Sequence, residues 1–538
     1  MNSLFLILIE NILNATCNTK YIYMGIPAYF SFVVKNNPNI VKKINTLNGQ
    51  IHNLLLDCNS IIYDALFHIE FTTKDEYENQ LIEYVCNKIN LYIDDVSPTC
   101  LIYIAFDGVA PIAKLNQQRN RRYKSWFTNK VLNKSSEWDR CSITPGTHFM
   151  GLLSDKIYST FGNNSLCKIS TSTEPGEGEH KLFHHVRNNV EYYKDKTTIV
   201  YGLDADLIML CINHLHVSSN IYLFRETPEF IKHIDKSLNP NELYILDIAD
   251  LASNICYTLN NNQICDTNQE KNKLFDYIFI CFMLGNDFMP HFPHINIRTN
   301  GINILMETYK ETIGNEKLNL TDGKKIYWNN FRKFISYLAK KECELYQEEY
   351  ERRLMFEKRH YKDEKDEDKL NNIPVKDLKE EKFIDPYEKG WQFKYYKILF
   401  DIDGKKHNKQ PICKNYLEAI EWNFKYYSGN CPDWSWKYNY DYPPLLVDLL
   451  EYIPSFSIDF IQETIPHIIS PYTQLAYVLP KSSLQNQLPN KIYEKLADHS
   501  DWYSEDCVFK WNYCRYFWEA HAHLPDIPIM HLEQITNI

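Results

Sequence analysis

Seven carboxylates are placed where this chain could hold divalent metal: Asp57, Asp107, Glu177, Glu179, Asp204, Asp206 and Asp287. Each ends or closely follows an apolar run, or opens a helical pattern. Taken singly, each has an ordinary explanation. The helix dipole favours acids in a first turn, and the two-residue spacing of Asp204 and Asp206 puts them on one face of any extended segment. Taken together, at one edge of a sheet, unneutralised pairs would repel by about 4 kcal/mol at 4 Å and an effective dielectric near 20. Cations are then required. Oxygen ligands without His or Cys at zinc spacing point to Mg²⁺, two ions, with Mn²⁺ as a substitute. Such a pair suits in-line displacement at a phosphodiester.

Beside one of these acids lies the run IAFDGVAPIAKLNQQRNRRYKSW, from Ile104 to Trp126. If it is helical from Ala113, then Lys114, Gln118, Arg121 and Arg122 fall at i, i+4, i+7 and i+8 and share a face. Their donors suit the oxygens of a terminal phosphate. No Asp or Glu interrupts Gly108 to Ser136, so the local field is positive. Four charge-assisted bonds of roughly 1.5 to 3 kcal/mol each would distinguish a phosphate end from a hydroxyl end.

The elements that must carry these groups follow one grammar. Leu54 to Leu56 form a buried strand ending in Asp57 and feeding a helical pattern. LIYIAFD repeats this at Asp107, and TTIVYGLDADLIML at Asp204 and Asp206. Strands alternating with helices predict an α/β domain with a mainly parallel sheet, whose ligands bind at the carboxyl ends of the strands. Asp287 follows a nearly continuous apolar run from Tyr277 to Leu284, so it needs a partner or a metal.

Residues 1–23 read as an extension before a second possible start at Met24. Residues 24–341 read as the metal-bearing domain, 342–382 as a charged exposed helix and linker, and 383–538 as a second, aromatic-rich region. With 39 Tyr and 28 Phe the chain is too aromatic to be disordered. Its net charge of −11 argues for a local basic groove rather than indiscriminate polyanion binding. The 15 cysteines never form a C-x-x-C pair, which argues against a zinc ribbon or a disulfide framework. The apolar start MNSLFLILIENIL is broken by Glu10 and makes a poor signal peptide, and no run approaches membrane-span length.

Through MGIPAYF, LLLDCNSIIY, FDGVAPIAKLNQQRNRRY, ITPGTHFM, EPGEGEHK, YGLDADLIML, GNDFMPHFP and the PDWSWKYNYDYPP region, the chain resembles the Xrn/Rat family of 5'→3' exoribonucleases from Met24 to about Pro528. The resemblance implies a nuclease domain of the PIN and flap-nuclease kind, with the second region completing the active-site pocket. It implies processive hydrolysis of 5'-monophosphorylated single-stranded RNA with Mg²⁺, the seven acids as metal ligands, and Lys114, Gln118, Arg121 and Arg122 as the 5'-phosphate pocket. The family stacks the first base between a His and a Trp. Here the Trp position is Trp434, with Trp436 as the alternative, and Tyr63 stands in place of the His. A monomeric catalytic core acting in mRNA decay is expected, cytoplasmic with the nucleus as the alternative, with decapping factors as possible partners. Two competing readings share the acids: a structure-specific flap-type nuclease, and an inactive RNA-binding protein on the same fold.

Overall fold

The computed structural model describes residues 28–47, 49–134, 137–225, 238–239, 242–264, 267–361, 363–504 and 507–537. The extension at residues 1–23 lies outside them, as do residues 24–27, the MGIP segment. Seven strands form one sheet: β1 (Val41–Lys43), β2 (Asn53–Asp57), β3 (Leu101–Ala105), β4 (Cys167–Ser170), β5 (Thr197–Tyr201), β6 (Asn220–Arg225) and β7 (Tyr244–Asp247). Their order is β1-β7-β6-β5-β2-β3-β4. The five from β2 to β6 are mutually parallel, and β7 pairs antiparallel with both β6 and β1.

The sheet is buried on both faces, which is why its strands read as unbroken apolar runs rather than alternating ones. Leu55, Tyr103 and Val200 point into one core, while Leu54, Leu56, Ile104 and Ile199 point into another. That alternation is the two-residue period of a strand. The chain steps from β2 through β3 to β4 on one side, then returns to place β5 on the other side of β2. The reversal opens a crevice at the carboxyl ends of β2 and β5, the position where such sheets bind ligands.

The second region is mainly helical, with one two-stranded ribbon of β8 (Val508–Lys510) and β9 (His521–His523). It is not an appended unit. Val109, Ala110, Ile112 and Leu115 of the basic stretch share a core with Leu475, Val478, Leu484 and Leu532. Trp422, Phe424, Tyr426 and Tyr427, on the helix Lys406–Ser428, share the sheet's own core with Leu207, Ile280 and Leu284.

Segment 342–382 is only partly the exposed helix and linker expected. The helix runs from Trp328 to Glu357, and its charged half buries Glu342, Tyr346, Glu349 and Arg353. Short helices follow at Asp366–Asn371, Ile373–Lys376 and Lys379–Ile384. Arg353 donates to Glu381 at 2.5 and 2.8 Å and to the carbonyls of Pro374 and Cys514, each at 2.8 Å. Composition misleads here because alternating charges usually mark a solvated face, whereas these pair internally. Among the described residues no helix is long and apolar enough to cross a membrane.

Candidate active site

The crevice at the carboxyl edge is built by turns that leave the strands sharply. β2 ends in Asp57 and enters the helix Asn59–His68 after Cys58, whose N–H bonds the Ala105 carbonyl of β3 at 2.9 Å. Two residues beyond β3, Asp107 accepts the N–H of Gly178 at 2.7 Å and the amide of Asn59. Glu177 is the N-cap of the helix Gly178–Asn188 and Glu179 lies in its first turn. A side chain at Gly178 would run into the Asp57 carboxylate, so the Glu-Gly-Glu spacing lets two acids flank a third. Asp206 opens the helix that follows β5. Asp287 comes after the short 3-10 turn Phe282–Leu284 and Gly285, whose φ of +81° and close contact with His291 suit only glycine.

These turns bring Asp57, Asp107, Glu177, Glu179 and Asp204 to one cavity with Lys114, Asn59 and Ser60. Asp57, Glu179 and Asp204 offer oxygens that all lie within 4.8 Å of one another. Asp287 joins through Lys114, whose ammonium sits 2.5 Å from Glu177 and 2.8 Å from Asp287. Asp206 belongs to the same field, since its charge and those of Glu179 and Asp204 act on each other.

Burial, then the charges of Asp107 and Asp204, push the Asp57 carboxyl well above the usual carboxylate range. Burial with Asp206, Glu177 and Asp204 does the same to Glu179. Burial first, then neighbouring acids, takes Asp204 to about 6 and Asp206 to about 8, against the pull of Lys114. Lys114 loses to burial but gains more from Asp287, Glu177 and Glu179, so its pKa is raised and it stays charged. One ammonium does not neutralise seven acids. The buried oxygens Asp57 Oδ1, Glu179 Oε2 and Asp206 Oδ1 have no hydrogen-bond donor among the described residues. Desolvated acceptors without donors, close together and all oxygen, fit divalent cations of the hard class.

The basic comb is helical, from Ile112 to Val131, and begins at the cavity. Lys114 lies inside the acid cluster rather than in a separate pocket. Gln118 is buried, and its carbonyl oxygen has no donor. Arg121 is close enough for its charge to lower the Asp204 pKa. Arg122 donates to Thr144 Oγ1 at 2.6 Å and to the Ile143 carbonyl, tying the comb to the ITPGTHFM loop. Tyr63 and Trp434 are both half-buried. The Trp434 carbonyl accepts the N–H of Ile112 at 2.9 Å, so its loop sits at the start of the basic helix. Trp436 is buried and stacked on Trp422 at 5.3 Å, which leaves Trp434 as the more exposed of the two.

Four contributors escape sequence reasoning. Asn59 holds Asp107, and Gln117 donates to Asp287 at 3.3 Å. Tyr426 donates to Glu177 at 2.7 Å, and Lys181 donates to the carbonyls of Phe106 and Thr171 beneath the acids. Asn59 and Gln117 sat inside motifs already singled out, so proximity could have flagged them. Tyr426 lies 249 positions from its partner and carried no local signal.

The chain matches the family model described as the XRN 5'-3' exonuclease N-terminus over residues 24–227. It matches the model described as the Xrn1 helical domain over residues 268–385 and 375–536. It is 24% identical to 5'-3' exoribonuclease 2 of Debaryomyces hansenii over an alignment of 693 residues, covering 94% of this chain and 69% of that protein. Against the 5'-3' exoribonuclease 2 homolog of Drosophila melanogaster it is 25% identical, covering 93% of this chain and 69% of that one. Against 5'-3' exoribonuclease 1 of Saccharomyces cerevisiae it is 26% identical, covering 92% of this chain but only 42% of the yeast protein. Matches spanning the acid-bearing sheet and the second region that closes over it make the chain a member of the Xrn family, a hydrolytic 5'-3' exoribonuclease.

Proposed function

We propose that this exoribonuclease degrades 5'-monophosphorylated single-stranded RNA processively to mononucleotides, using two Mg²⁺ ions for which Mn²⁺ can substitute. The observation that carries this reading is the cavity itself. Carboxylate oxygens without donors line it, and Lys114, in the first turn of a donor-bearing helix, lies among them. Asp57, Asp107, Glu177, Glu179, Asp204, Asp206 and Asp287 would hold the ions. When bound, the ions supply an activated water and charge neutralisation for in-line displacement.

The protein's own groups do the rest. Gln118, Arg121 and Arg122 grip the terminal phosphate, and Lys114 exchanges a carboxylate partner for a phosphate oxygen. Tyr63 and Trp434 offer aromatic faces to the first base, each worth about 1 to 3 kcal/mol. A triphosphate or capped end adds bulk that a helix-lined pocket does not admit. A monomer acting in mRNA decay in the cytoplasm, on ends supplied by decapping, is the setting that this end preference suits.

The test uses 3'-labelled single-stranded RNA bearing a 5'-monophosphate, hydroxyl or triphosphate, with Mg²⁺ or EDTA. Mg²⁺-dependent loss of the monophosphate RNA alone, without discrete labelled intermediates, is the expected result. Discrete internal cuts would replace this reading with a structure-specific nuclease, and binding without cleavage would replace it with an RNA-binding protein.

A further inference from the structure

Both oxygens of Glu177 are engaged, as are those of Asp107 and Asp287, and one of the Glu177 partners comes from the second region. Oε2 faces Lys114 at 2.5 Å, and Oε1 accepts the Tyr426 hydroxyl at 2.7 Å. Lys114 is shared with Asp287, so it can be drawn away by any cation or phosphate that enters. The tyrosine cannot. Its ring is stacked on His180 at 3.7 Å and 18° and packs on Trp422 at 4.7 Å, with Phe288 edge-on at 5.5 Å. Trp422 and Tyr426 lie four residues apart on the helix Lys406–Ser428 and therefore share a face. Trp422 is itself fixed, stacked on Trp436 and donating its indole N–H to the Asp433 carbonyl at 2.8 Å. Asp433 immediately precedes Trp434.

We propose that Tyr426 is a positioning residue that orients the Glu177 carboxylate for divalent-cation binding, and that the aromatic column behind it makes the metal site depend on the second region. The proposal rests on the reading of the acid cluster as a metal site. A ligating carboxylate is itself normally held by an outer hydrogen bond, and loss of such a partner typically lowers metal affinity about 10- to 100-fold. The column supplies what that role requires, a hydroxyl whose ring cannot turn. The neighbouring Tyr427 feels the charges of Asp206 and Glu179, so two consecutive side chains of one helix lie against the acid cluster.

The experiment titrates Mn²⁺ calorimetrically into the metal-free full chain without RNA, for the wild type, Tyr426→Phe, Glu177→Gln and the double variant. Tyr426→Phe keeps the ring and the stack, and its melting temperature in EDTA checks that it folds. It should bind Mn²⁺ about 10-fold or more weakly. The Mg²⁺ needed for half-maximal hydrolysis should rise by the same factor, with the rate recovered at saturating Mg²⁺. If Tyr426 acts through Glu177, the double variant should be no weaker than Glu177→Gln alone. Unchanged Mn²⁺ affinity in Tyr426→Phe, or additive losses in the double variant, would overturn the proposal while leaving the metal reading intact. Absence of Mn²⁺ binding by the wild type would overturn both.

Discussion

Removing the Asp206 carboxylate should abolish hydrolysis while RNA binding survives, because it takes away an acid of the proposed metal site and none of the donors proposed to grip the phosphate. Single-turnover assays with filter binding on Asp206→Ala check this, and unchanged turnover would remove Asp206 from the site. Arg121 tests those donors. Its loss removes a charge-assisted bond of roughly 1.5 to 3 kcal/mol to the terminal phosphate. The preference of Arg121→Ala for monophosphate over hydroxyl RNA should therefore fall about 10- to 100-fold, measured as the ratio of kcat/KM for the two ends. A retained preference would show that other groups read the end. Both side chains were nameable from sequence because each lies inside a motif whose local geometry determines its direction. Asn59, two residues after Asp57, shows the limit of that logic, since its role depends on Asp107 arriving from the next strand.

At the scale of elements, the 30-residue helix Trp328–Glu357 does what its composition hides. The Arg353–Glu381 pair is buried, and Glu381 also accepts the Tyr513 N–H at 2.8 Å. Three stretches of chain are therefore clasped at one point. Removing one partner of a buried pair leaves an uncompensated charge and typically costs about 3 to 5 kcal/mol. Arg353→Ala should lose that much stability in urea unfolding, whereas joint replacement of Arg353 and Glu381 by apolar residues should lose far less. Equal losses would mean that the carbonyl contacts to Pro374 and Cys514, rather than the ion pair, make the clasp. The strand-to-helix units behaved differently. β2, β3 and β5 were legible because burial on both faces writes itself as a continuous apolar run.

For the whole molecule, a crowded acid site makes stability depend on pH and metal together. Asp204 and Asp206 are raised to about 6 and about 8 from an ordinary 3.8, burial being the first cause. Between about pH 4 and pH 8 the folded state therefore holds protons that the unfolded chain has released, and stability without metal must fall as pH rises. The melting temperature in EDTA should decline across that window, and saturating Mg²⁺ should raise it most at the alkaline end. A melting temperature in EDTA that rises with pH would mean that the acids are neutralised within the protein.

The sequence by itself determined the parallel α/β sheet, the acid-bearing strand ends and helix starts, the helical course of the basic stretch and the family resemblance. All of these rest on local periodicity, on strand-end position or on contiguous motifs. Only the tertiary structure decided that Lys114 lies among the acids, that Trp436 is buried while Trp434 is half-buried, that Arg353 and Glu381 of segment 342–382 are buried together, and that Tyr426 reaches Glu177. The physical reason is range. A strand end or a helix face is set by residues a few positions apart, whereas pairing, burial and support of a side chain are set by whatever the fold brings against it.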